Sequence, residues 1–195
     1  MKNLSKIWPL GICAGLLFSV TQWVDAESAH PIKNLKEANR LIHWPKGFTP
    51  EEGDAFVHNE IWINAPANVI WTNLINATEW PSWYSNSANV RISGAGQKSL
   101  HENSRFTWNT FGFPVDSKVH ESVLNQRLGW FGNGTGLQAY HTWLILEKAS
   151  GCEVVTEEVQ KGAGAIRFNL EKPSAMYDGH DLWLKALKKR SEQGA

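Results

Sequence analysis

Between residues 57 and 84 the spacing of apolar positions changes twice. Val57, Asn59, Ile61 and Ile63 alternate with His58, Glu60, Trp62 and Asn64, the two-residue period of a half-buried strand. After Asn64-Ala65-Pro66 the apolar residues Val69, Ile70, Leu74 and Ile75 recur at helical spacing, and Pro66 suits a first helical turn. Glu79-Trp80-Pro81-Ser82-Trp83-Tyr84 predicts a second short helical or turn-like piece. One strand therefore leads into two short helices.

Six further strands are predicted, over 89–93, 105–111, 115–123, 127–131, 137–147 and 153–161. Gly132-Asn133-Gly134 reads as a hairpin turn, and the two longest strands join around Ser150-Gly151. A loop holding Gly162 and Gly164 leads past Pro173 into a helix from Ser174 to about Arg190. Met176, Tyr177, Trp183, Leu184 and Leu187 fall on one face of that helix. The order predicts an α+β fold in which a curved antiparallel sheet buries one face against the C-terminal helix. A sheet curled round one helix leaves room for a cavity between them.

Before the first strand the chain divides in two. Lys2 and Lys6 precede an apolar run from Ile7 to Val20, and Val24-Asp25-Ala26 suits a signal peptidase, so residues 1–26 are expected to be a cleaved signal peptide. Export to the periplasm or beyond follows, with no stable membrane insertion after cleavage. Residues 27–54 form a lead-in with a short helix over 34–42, pinned to the domain by Trp44 and Phe48. Residues 55–191 are the folded domain.

Composition removes several function classes. Lys and Arg number 19 and Asp and Glu number 19, so no net positive charge draws the chain to nucleic acid. Cys13 leaves with the signal peptide and Cys152 stands alone, which excludes an internal disulfide and a paired-cysteine zinc or redox site. The chain has 11 tryptophans, whose large apolar faces suit both cores and the walls of ligand cavities.

Candidate chemistry is sparse. His141 is the best acid–base candidate, with Glu121 or Glu158 as partner, because imidazole titrates near neutral pH. Glu157 and Glu158 are adjacent in a strand, so they point to opposite faces and one is expected in solvent; Glu158 is the one assigned to the pocket. His141, His180, Glu158 and Asp181 would form a metal site only if strand and helix registers converged, and no HxxxH or HxH spacing directs them to. No metal or other cofactor is therefore predicted, and His180 and Asp181 are read as tethering the final helix. Trp108, Trp130, His141 and Trp143 on the strands, with Met176 and Trp183 on the helix, are the expected ligand-binding residues.

The succession Ile61-Trp62-Ile63-Asn64-Ala65-Pro66, Trp80-Pro81, Val119-His120-Glu121, Arg127-Leu128-Gly129-Trp130, His141-Thr142-Trp143 and Glu157-Glu158-Val159 resembles the SRPBCC superfamily. That superfamily groups START, Bet v 1-like and polyketide cyclase/dehydrase proteins of helix-grip fold. The resemblance covers about Phe56 to Lys189. It implies an apolar pocket for a hydrophobic small molecule such as a lipid, sterol or polyketide, in a carrier or binding protein. The alternative it implies is a cyclase or dehydratase using His141 with Glu121 or Glu158.

Overall fold

A computed structural model describes residues 41–193. The signal peptide expected over 1–26, and all but the end of the helix expected over 34–42, lie outside the described residues. Seven strands form one antiparallel sheet: β1 Ala55–Ile63, β2 Ala88–Ile92, β3 Arg105–Thr110, β4 Phe113–Val123, β5 Arg127–Gly134, β6 Leu137–Lys148 and β7 Gly151–Lys161. Their order across the sheet is β1-β7-β6-β5-β4-β3-β2, so the first strand closes onto the last and the rest meander. Between β1 and β2 lie α1, Ala67–Ile75, and a 3-10 turn, Ala77–Ser82. After β7 come α2, Ala163–Glu171, and the long α3, Ala175–Glu192, which crosses the inner face of the curved sheet. This is the α+β helix-grip arrangement that the apolar spacing predicts.

The core is aromatic. Trp80, from the 3-10 turn, makes ring contacts with Phe106, Trp108, Trp130 and Trp183 at centroid distances of 5.0 to 5.9 Å. Trp183 of α3 also stacks on Tyr84 at 4.4 Å. Offset and edge-on contacts of this kind bury large area with favourable quadrupole geometry. Val69, Ile70 and Leu74 of α1 supply the helical periodicity, and Ala67, Ile70, Trp71 and Leu74 are buried in the core.

Both faces of β6 and β7 are covered. Their inner side chains include His141, Trp143 and Ile145 with Cys152, Val154, Thr156 and Glu158. On the outer face Leu144 and Val155 pack with Ile42 of the lead-in. Trp44 sits edge-on to Phe56 and Tyr140, and Phe48 to Phe131, which fastens the lead-in across this outer face. A strand pair buried on both sides carries apolar residues at both parities, so alternation alone does not say which side faces in.

Four expectations need correction. The β5–β6 turn is not Gly132-Asn133-Gly134: Gly134 pairs with Leu137, so the two turn residues are Thr135 and Gly136, and Gly136 takes the positive φ of 68°. The stretch after Gly162 is not a loop but the helix α2. Tyr177 is 55% exposed and leaves the inner face of α3, where Gly179 and His180 join Met176, Trp183, Leu184 and Leu187. Neither glutamate of the adjacent pair is in solvent: Glu157 is 1% exposed and Glu158 8%, because the outer face is covered as well.

Candidate functional site

β6 and β7 pair with His141 directly opposite Glu158. The strands close at Lys148 and Gly151 across a two-residue connection, and counting back from it fixes that pairing. Because the two residues share the inner face, their side chains meet: His141 Nδ1 lies 3.4 Å from Glu158 Oε2. α3 brings His180 to the same oxygen, with Nε2 at 3.5 Å. The two imidazoles stack with centroids 4.6 Å apart and planes 13° from parallel.

Neighbouring side chains fix the members of this cluster. His141 Nε2 and Thr156 Oγ1 are 2.7 Å apart, and the Thr156 hydroxyl reaches the Thr142 carbonyl at 3.2 Å. A hydroxyl has one proton; given to the carbonyl, it makes His141 Nε2 the donor and turns the bare Nδ1 lone pair toward Glu158. Gln160 Nε2 donates to Glu158 Oε1 at 2.7 Å, and Asn169 of α2 donates to Gln160 Oε1 at 3.0 Å. His180 Nδ1 is buried without a partner among the described residues.

Burial dominates the electrostatics. It pushes His141 down to about 3, with the charge of His180 acting in the same direction, so the ring is neutral at neutral pH. Burial works to raise the Glu158 carboxyl, but the His180 and His141 imidazoles and the Gln160 amide outweigh it and hold the group below the ordinary carboxylate range. The result is a buried carboxylate flanked by two imidazoles, with no lysine or arginine beside it among the described residues.

This cluster lines a partly open cavity of about 40 Å³. Trp108, Trp130, Trp183, Tyr84, Phe111 and Phe113 supply its aromatic wall, and Met176 and Gln160 complete it around the cluster. Phe111 holds a left-handed backbone, φ 52°, in the β3–β4 turn, where its amide donates to Asn86 Oδ1 at 2.8 Å. Gly179 of α3 lets the Phe111 ring close on the helix, since a Cβ there would stand 2.4 Å from Cζ.

Of the expected ligand-binding residues, Trp108, Trp130, His141, Met176 and Trp183 line this cavity. Trp143 does not. It is fully buried behind them, 5.0 Å from Trp183 and 5.5 Å from the His141 ring, as core. Glu121 is also elsewhere, its Oε1 bound by Arg127 Nε at 3.0 Å and His43 Nδ1 at 2.8 Å. His180, read as a tether, belongs to the cluster, whereas Asp181 pairs along the helix with Lys185 at 2.7 Å. The spacing of His180, four residues after Met176 and three before Trp183, was the signal that places it on the inner face. Cys152 is buried, its thiol raised to about 11 by burial, and it donates weakly to the Ala65 carbonyl, which makes it structural.

Comparison with known proteins follows the fold. No family model matches the sequence, and no curated protein does. Among solved structures, the crystal structure of the hypothetical protein jhp0584 from Helicobacter pylori is 33% identical, with 77% of this chain and 95% of that chain aligned at a TM-score of 0.71. A START superfamily protein from Mycobacterium smegmatis aligns over 72% of this chain and 99% of its own at 12% identity and a TM-score of 0.55. The di-domain ARO/CYC protein StfQ from the steffimycin biosynthetic pathway aligns over 71% of this chain and 51% of its own, at 11% identity and a TM-score of 0.59. At such identities the last two likenesses speak for the fold alone.

Proposed function

We propose that this chain, whose fold is START-like, is a binding protein for a compact hydrophobic molecule held between the sheet and α3. The observation that carries this reading is the cavity itself, lined by aromatic side chains together with the polar cluster Glu158, His141 and His180. Aromatic walls with a few convergent polar groups suit ring-bearing ligands that carry one hydrogen-bonding group.

The size of the cavity narrows the ligand class. About 40 Å³ is room for roughly three waters. A sterol or a long acyl chain needs far more, and the fully buried indoles of Trp80 and Trp143 belong to the packed core and not to the cavity lining. The ligand is therefore small and flat, and it seats by displacing the Met176 side chain, which is unbranched and adaptable.

The 3.4 Å approach of His141 to Glu158 supports a second reading, an acid–base enzyme of the cyclase or dehydratase kind. Glu121 has no part in it, being bound elsewhere. An imidazole pushed down to about 3 is a weak base at neutral pH, and for that reason binding is preferred to turnover.

The basic start and apolar run before Glu27 support export to the periplasm or beyond. Among the described residues no helix is long and apolar enough to cross a membrane. Native mass spectrometry of protein purified from its own exported fraction tests both parts. The expected result is a chain beginning at Glu27 that carries an organic adduct at one per chain. A bare chain whose Trp emission does not respond saturably to any small aromatic compound contradicts the binding reading.

A further inference from the structure

We propose that His141, Glu158 and His180 form a binding site for one divalent first-row transition ion, with its open coordination positions facing the aromatic cavity. The three ligating atoms lie within 4.8 Å of one another, and all three side chains are buried. The two nitrogen-to-oxygen separations are 3.4 and 3.5 Å. Ligands at roughly 2.0–2.1 Å from a tetrahedral ion stand about 3.3 Å apart, so these edges already have the required length.

Second contacts favour an ion. A metal-bound histidine ordinarily donates its other N–H to an oxygen, and His141 has Thr156 Oγ1 at 2.7 Å for that purpose. A ligating carboxylate is held in turn, and Gln160 holds Glu158 from Oε1, leaving Oε2 toward both imidazoles. Among the described residues the buried carboxylate has no lysine or arginine partner, so a cation between the three side chains supplies a counter-charge that does not depend on imidazole protonation. Two imidazoles and a carboxylate, without thiolate, select zinc, iron or a neighbouring ion over calcium or magnesium.

One adjustment is required. The imidazoles are nearly parallel, and one ion cannot lie in both ring planes. His141 is fixed by Thr156, whereas His180 Nδ1 has no partner among the described residues, so His180 is the ring that turns about Cβ–Cγ to aim a nitrogen at the ion. The inference stands independently of the hydrophobic ligand, since it concerns the protein with its cavity otherwise empty.

Untagged, chelator-treated protein titrated with Co2+ and then with Zn2+ tests it. The expected result is one Co2+ per chain with visible d–d absorption, displaced by Zn2+, and quenching of Trp emission because Trp130 and Trp183 lie 4.7 and 5.5 Å from the His141 ring. Glu158→Gln and His180→Asn should each weaken uptake by more than 100-fold, and Thr156→Val by roughly 10- to 100-fold. His58, which touches Glu157 and Glu60 on the outer side of the sheet, is the control, and His58→Gln should bind as the parent does. The proposal is overturned by no stoichiometric uptake in the parent protein, or by uptake lost in His58→Gln and kept in His180→Asn. Should a site variant fail to fold, the stoichiometry, absorption and Trp quenching of the parent decide alone.

Discussion

Thr156 decides what His141 offers the cavity. With its hydroxyl proton given to the Thr142 carbonyl, the metal-free protein should hold His141 in the Nε2–H tautomer. Long-range 1H–15N NMR of the imidazole checks this directly, and a proton on Nδ1 would reverse the assignment. His58 gives a second prediction at this scale. Hydrogen bonding to Glu157 at 2.6 Å, helped by Glu60 at 3.2 Å, raises His58 above its ordinary value although burial opposes it. A histidine raised on folding stabilises fully below about pH 6.5, and that stability is lost as pH rises through the folded value. Denaturant unfolding across pH 6 to 9 should therefore show a falling limb that His58→Gln removes; an unchanged slope in that variant would exclude the pair as its source.

Most elements were legible because their periods were clean. β1, α1 and β4 show alternation or helical spacing on a single buried face, and the first-strand-to-two-helix passage came through as read. The β5–β6 turn was displaced because Asn133-Gly134 is a strong local turn signal, whereas pairing of Gly134 with Leu137 places the reversal at Thr135-Gly136. That difference is measurable. Gly136→Ala, at φ 68°, should cost about 1–2 kcal/mol. Gly134→Ala, whose added Cβ meets nothing nearer than 4.0 Å, should stay within about 0.5 kcal/mol. Comparable losses at both positions would put the turn back at Asn133-Gly134. α2 escaped the sequence because its flanking Gly162, Gly164 and Pro173 read as loop punctuation and most of its side chains remain at least partly exposed.

On the scale of the whole molecule, 11 tryptophans announced an aromatic interior but not how far it is filled. Trp80 and Trp143 are fully buried in the core and Trp183 lines the cavity, and the space left is about 40 Å³. Five of the six expected ligand-binding residues line it, since the inner strand parity and the inner face of α3 carry them, and only Trp143 lies outside the lining. The convergence of His141, Glu158 and His180 was beyond motif spacing, because it joins a hairpin register to a helix rotation set by packing across the sheet. The central claim is that this cavity is the ligand site. Its most direct test is a Trp fluorescence titration with a small aromatic probe such as 1-naphthol, comparing the parent with Ala139→Phe, which fills the cavity from β6. Saturable one-to-one binding that weakens at least about tenfold in the folded variant is the predicted result. Equal binding by both proteins, or none by the parent, would contradict it.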